Sequence, residues 1–255
     1  MPLSAPNITA QPTTEEPLFQ SRPRETVCRR YRFKTSPLSS HGKILRHLVR
    51  LPPETRILDV GTANGYLGQA LREAGFQQVV GLEQDPLRAQ EARSLYARII
   101  EQDLEDLSPE SLGGPYDAIV CADVLEHLKD PWAALRRLVL ALAPNGQILL
   151  SIPNSGHWWV RLNVLCGRFP MDSRGLFDSG HLRFFTRRSL RQLVHQAGLS
   201  MDHCWVTPIP LTLLSDQPIF RKPAQAGEWI YWILSHTWKN LFAYQFVLVA
   251  RPTGC

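Results

Sequence analysis

From Arg56 onward the sequence alternates short apolar runs with amphipathic segments, and residues that stop or start an element punctuate each change. Strand and helix periods that alternate in this way fold into a mostly parallel sheet, because each right-handed crossover returns the chain to the same end. Residues 57–60 read as a buried strand, followed by a glycine turn and a helix through Leu67, Ala70 and Leu71 that ends at Gly75. A second strand at 79–82 leads to Asp85 as helix cap and Pro86 at the first helical position. Residues 98–100 and 116–121 give the third and fourth strands. Asp130-Pro131 then starts a helix carrying Leu135, Leu138, Val139 and Leu142, which Pro144-Asn145-Gly146 ends. The fifth strand is predicted at 147–152, and Thr186 caps a helix through Leu190, Leu193 and Val194 that stops at Gly198. Two further strands, at 202–207 and 244–250, bring the expected α/β sheet to seven.

The flanks set the domain limits. Residues 1–22 are rich in Pro, Thr, Ser and Gln and are expected to be a disordered tail. Ser40 is predicted to cap a first helix, with Ile44, Leu45, Leu48 and Val49 on its apolar face, that Pro52-Pro53 ends. Residues 23–255 then form one domain, with insertions at 153–185 and 208–243, for which 255 residues at 44% hydrophobic content suffice. The net charge of +5 owes much to a local patch of Arg22, Arg24, Arg29, Arg30, Arg32 and Lys34, which reads as a solvated arm or an anion-binding one. The five cysteines are scattered and include no Cys-x-x-Cys pair, so neither a disulfide framework nor a zinc site is expected. No secretory leader pattern opens the chain, which makes the cytoplasm the default location. The aromatic run Trp229-Ile230-Tyr231-Trp232-Ile233-Leu234 is interrupted at His236, Lys239 and Asn240. It falls short of the ~20 apolar residues of a membrane span, and peripheral contact through 229–242 stands beside a packed helix as its two readings.

The chemistry concentrates at the ends of the predicted strands. Asp59-Val60-Gly61-Thr62-Ala63-Asn64-Gly65 follows a strand and opens a helix, where glycines let the backbone approach a ligand closely. Glu83 closes the second strand, in place to accept hydrogen bonds from both hydroxyls of a ribose, and Asp103 follows the third, in place for an adenine amino group. Three carboxylates on this side suit a nucleoside without phosphates and argue against a dinucleotide.

On these residues, 57–154 resemble the class I S-adenosylmethionine-dependent methyltransferases. The turn from Asp59 to Gly65 is similar to their glycine-rich first motif, with Ala63 in place of the middle glycine; Glu83 to their ribose-binding acid; Asp103-Leu104 to their adenine-side motif; and 117–127 to their fourth-strand motif. The resemblance implies a Rossmann-like, doubly wound, mostly parallel seven-stranded sheet with helices on both faces. It implies S-adenosylmethionine as methyl donor, bound by Asp59, Gly61, Ala63, Gly65, Glu83, Asp103, Leu104, Ala122 and Asp123. Asp123-Val124-Leu125-Glu126-His127-Leu128 and Gly180-His181-Leu182-Arg183-Phe184-Phe185-Thr186 are similar to the branch acting on small molecules and glycans. That places His127 and His181 on the acceptor side, as structural residues or as bases that take a proton from a hydroxyl. Their spacing along the chain shows no metal-ligand cluster, so no metal is expected.

The acceptor is expected to be a small molecule, a glycan or a lipid-linked compound, methylated on oxygen. Nucleic acid is the main rival, favoured by the arginine arm. It is disfavoured by Ala122-Asp123-Val124-Leu125, where base-methylating enzymes commonly carry an Asn/Asp-Pro-Pro-aromatic motif. A protein acceptor and a non-catalytic, cofactor-binding subunit are the remaining alternatives, the last supported locally by Ala63 alone.

Overall fold

The alternation read from Arg56 becomes seven strands: β1 (Ile57–Val60), β2 (Val79–Glu83), β3 (Arg98–Glu101), β4 (Tyr116–Ala122), β5 (Leu142–Pro153), β6 (Leu199–Thr207) and β7 (Gln245–Pro252). A computed structural model describes residues 36–209 and 221–253. The expected tail at 1–22, the cationic patch and part of the second insertion lie outside the described residues. The strands form one sheet in the order β3-β2-β1-β4-β5-β7-β6. β1 to β5 pair in parallel, whereas β7 runs antiparallel between β5 and β6. The strand order reverses between β1 and β4, and ligands of open α/β sheets bind at the carboxyl ends of the strands flanking such a reversal.

The helices are α1 (Ser40–Leu48), α2 (Tyr66–Glu73), α3 (Pro86–Ala92), α4 (Pro131–Leu140), α5 (Trp158–Leu165), α6 (Arg187–Gln196), α7 (Arg221–Thr237) and α8 (Lys239–Phe242). Two apolar clusters follow from the two-residue strand period. Leu58, Ile119, Leu150 and Leu248 point to the side where α4 contributes Leu135 and Leu138 and α6 contributes Leu190 and Leu193. Ile57, Val120, Leu149 and Val247 point to the other, against Ile44 and Leu48 of α1 and Leu67 and Leu71 of α2. Helices therefore cover both faces, as expected.

Local signals place most helix starts. Asp85 accepts from the Leu87 amide, Asp130 from Ala133, and Thr186 exchanges bonds with Ser189 in a capping box. Two expectations shift. Ser39, not Ser40, caps α1, accepting from the Gly42 amide, while Ser40 is buried as the first helical residue. α4 stops at Leu140, and β5 begins at Leu142, which pairs with Tyr116. Pro144-Asn145-Gly146 therefore lies inside β5, where the register with β4 is irregular between Tyr116 and Ala118. The tripeptide sits in the unpaired stretch between Leu142 and Gln147, so the strand takes up its turn as a bulge and does not end there.

Candidate cofactor and acceptor site

The chain leaves β1 through a turn in which Gly61, Ala63 and Gly65 all have positive φ, at 72°, 48° and 79°. A side chain on Gly61 would come within 2.8 Å of Val124. Ala63 holds a conformation that costs an L-residue about 1–2 kcal/mol and that glycine adopts freely. What holds it is Glu83: one carboxylate oxygen accepts from the Ala63 amide at 2.8 Å and the other from the Asp85 amide at 3.0 Å. The acid at the end of β2 thus shapes the turn above β1.

Asp59 is buried and accepts a 2.5 Å bond from the Tyr96 hydroxyl, which in turn accepts from the Gly68 amide at 3.1 Å. Burial raises the Asp59 carboxyl to about 7; the Tyr96 bond pulls it down and the Glu83 charge adds to the rise. Burial also pushes the Tyr96 hydroxyl far up, which keeps it a donor. Nothing in the sequence singled out Tyr96.

A small cleft at the strand reversal is lined by His41, Asp59, Gly61, Thr62, Tyr66, Leu67 and Ala122. It joins three of the expected cofactor residues with four that sequence reasoning missed. The Thr62 hydroxyl oxygen is buried there without a hydrogen-bond partner among the described residues. An orphaned hydroxyl, a glycine cradle and buried carboxylates fit a polar, phosphate-free ligand. Gly65 is the cap residue just before α2, and Asp103 follows β3, its carboxylate accepting from the Glu105 amide at 2.8 Å. Leu104 puts its side chain into the core, so any part it takes in binding rests on its backbone. Asp123, at φ 56°, has its carboxylate engaged by the Ser151 hydroxyl at 2.5 Å and the Gln245 amide at 3.0 and 3.1 Å. It ties β4 to β5 and β7.

His127 and His181, 54 residues apart in sequence, meet with ring centroids 4.8 Å apart, edge to face. Backbone bonds make the meeting: Leu182 and Arg183 amides donate to the Glu126 carbonyl at 2.8 and 2.9 Å, and His127 Nδ1 donates to the Gly180 carbonyl at 2.9 Å. Arg183 adds a guanidinium bond to the Lys129 carbonyl at 3.0 Å. Burial, then the neighbouring His127, lowers the His181 pKa, with Asp178 and Asp123 opposing. Side-chain ligand atoms of Glu126, His127 and His181 lie within 4.8 Å of one another, a group that spacing along the chain concealed.

The first insertion continues this side with Phe169, whose ring meets Phe177 at 5.2 Å and Phe184 at 5.5 Å. The insertions are joined by Tyr231 of α7, whose hydroxyl accepts from His157 Nε2 at 2.6 Å and Trp158 Nε1 at 2.7 Å. His157 Nδ1 accepts from the Trp159 amide, which puts its proton on Nε2, and burial lowers its pKa to about 4. No helix among the described residues is long and apolar enough to cross a membrane.

Fold and site together define the class I methyltransferases, whose methyl donor is S-adenosylmethionine. A methyltransferase domain family model matches residues 29–203, well over half of the chain, and the chain belongs to that family. It is 35% identical over 108 residues to a ubiquinone biosynthesis O-methyltransferase of Xanthomonas campestris pv. campestris, covering 40% of this chain and 44% of that protein. A protein of the same description from Ralstonia nicotianae is 26% identical over 151 residues, covering 56% and 62%. The chain thus matches about half the length of these curated relatives. Among solved structures, magnesium protoporphyrin IX methyltransferase from Synechocystis PCC 6803 with bound SAH shares the fold at a TM-score of 0.55. Identity is 19%, over 84% of each chain. A TehB-like methyltransferase from Corynebacterium glutamicum has a TM-score of 0.52 at 15% identity, over 84% of this chain and 88% of that one.

Proposed function

We propose that the chain transfers the methyl group of S-adenosylmethionine to an oxygen of a small-molecule, glycan or lipid-linked acceptor. The observation that carries this reading is the paired imidazoles of His127 and His181. A hydroxyl must lose a proton as it becomes methylated, whereas an unprotonated amine needs no such partner. The names of the relatives, O-methyltransferases of ubiquinone biosynthesis, support oxygen and a small acceptor.

Bound S-adenosylmethionine supplies the methyl group with its leaving group already activated, so the protein's task is alignment and proton handling. In this reading Glu83 turns its carboxylate to the ribose hydroxyls while its amide bonds keep the turn in shape, and Asp103 meets the adenine edge. Gly61, Ala63 and Gly65 provide backbone close to the ligand, with Asp59, Ala122 and Asp123 toward its methionine end. The domain runs over 23–255, and the insertions at 153–185 and 208–243 form the acceptor side. The cytoplasm is the location this reading assumes.

Contact with a membrane surface is a second element. Trp229, Ile230, Ile233 and Trp238 are exposed, as are Trp159, Leu162 and Leu165 of α5. Apolar residues of this kind suit a lipid interface and a lipid-linked acceptor. Incubating the protein with methyl-labelled S-adenosylmethionine and a panel of quinol precursors, sugars and lipid-linked glycans tests the main proposal. Label is expected on a hydroxyl oxygen of one class; label found only on nitrogen or on RNA overturns it.

A further inference from the structure

We propose that Glu126, His127 and His181 form a binding site for one divalent transition-metal ion on the acceptor side. The donor set is two imidazoles and a carboxylate, whose ligand atoms lie within 4.8 Å of one another. Ligands about 2.1 Å from a common ion are at most ~4.2 Å apart, so a small movement of the partly exposed His127 and His181 side chains closes the set. Imidazole with carboxylate suits zinc, iron or cobalt, and three protein ligands leave coordination positions for oxygen donors.

Three features of the surroundings support a ligand role. Gly180 offers His127 Nδ1 a carbonyl, which can only accept, so that nitrogen carries the proton and Nε2 keeps its lone pair. A backbone carbonyl behind the distal nitrogen is the usual orienting partner of a metal-bound histidine. The His181 ring contacts His127 and Phe184 and makes no hydrogen bond among the described residues. The Glu126 side chain is 1% exposed, and its backbone carbonyl fixes the loop that carries His181 through the Leu182 and Arg183 amides. One turn and one loop thus deliver all three donors.

The consequence for chemistry rests on the methyltransferase reading. With an ion in place the two imidazoles act as ligands, and the ion's charge takes over the task of acidifying an acceptor hydroxyl at an open position. Acceptors with oxygen donors able to reach that position are then the preferred class.

The test is a Co2+ titration of the full chain, stripped with EDTA beforehand and followed by visible absorption. S-adenosylhomocysteine binding is measured in parallel on every sample. One saturable equivalent is expected, with affinity falling at least about 100-fold in His181→Ala and in His127→Ala while S-adenosylhomocysteine still binds. Far-ultraviolet circular dichroism confirms folding of both variants. They are preferred to Glu126→Gln, because their side chains are more exposed. Absence of saturable binding in folded wild type overturns the site, as does Co2+ affinity that survives both substitutions. Co2+ binding of the expected kind with no S-adenosylhomocysteine binding leaves the metal site standing and removes the methyltransferase reading.

Discussion

The two halves of the site are built differently. Most of the proposed cofactor half lies in the successive βα units from β1 to the turn after β3, and its key bond, Ala63 amide to Glu83, spans 20 residues. The proposed acceptor half is assembled from distant pieces: the His127 to Gly180 bond spans 53 residues and Trp158 to Tyr231 spans 73. A ligand shared by many proteins can be held by local strand, turn and helix geometry, whereas a particular acceptor is held by what the insertions bring over it.

This contrast is open to attack from both ends. The largest effect is expected where the distant pieces meet. Replacing both His127 and His181 by Ala should lower the methyl-transfer rate by about 10²–10⁴-fold, the usual worth of a proton-handling group, with S-adenosylhomocysteine affinity retained. Parallel rate and calorimetric measurements check this, and equal loss of both would make the halves one unit.

Next comes acid stability, controlled by the joint between the insertions. His157 has a folded pKa of about 4 against 6.5 unfolded. Its contribution is complete above 6.5 and disappears as pH falls toward 4, because the unfolded chain takes up the proton first. Urea unfolding should show a loss on the order of 3 kcal/mol across that window. His157→Gln should flatten this part of the profile; an unchanged slope would contradict the assignment.

Glu83→Ala should weaken S-adenosylhomocysteine binding by about 1–3 kcal/mol, since it removes the acceptor of the Ala63 and Asp85 amides and, in the proposed reading, of the ribose hydroxyls. The smallest effect is Ala63→Gly. Relief of about 1–2 kcal/mol at positive φ, less about 0.5–1 for the freer unfolded chain, leaves a gain of up to roughly 1.5 kcal/mol in urea unfolding. A loss of stability would show that the Ala63 methyl packs better than its backbone suffers.

The same contrast explains what could be read in advance. Strands, caps and the acids at the ends of β1 and β2 were legible because each rests on neighbours within one βα unit; Asp85 and Asp130 cap their helices as read. Even there, Pro144-Asn145-Gly146 became an irregularity inside β5, between the paired Leu142 and Gln147, where a helix end was read. Tyr96 was invisible, since its role depends on lying beneath Asp59 and beside Gly68. Glu126 carries no signal of its own in the sequence, because its grouping with His181 exists only after the 178–183 loop docks on its carbonyl. The aromatic run at 229–234 was ambiguous for a related reason: Tyr231 faces His157 and Trp158, while Trp229 and Ile230 stay exposed on the same helix.

The central claim is that the turn from Gly61 to Gly65, shaped by Glu83, holds S-adenosylmethionine. Calorimetric titration of the folded wild-type protein with S-adenosylhomocysteine tests it most directly. Saturable one-to-one binding is the predicted result. No heat and no saturation from a protein shown to be folded would contradict the account.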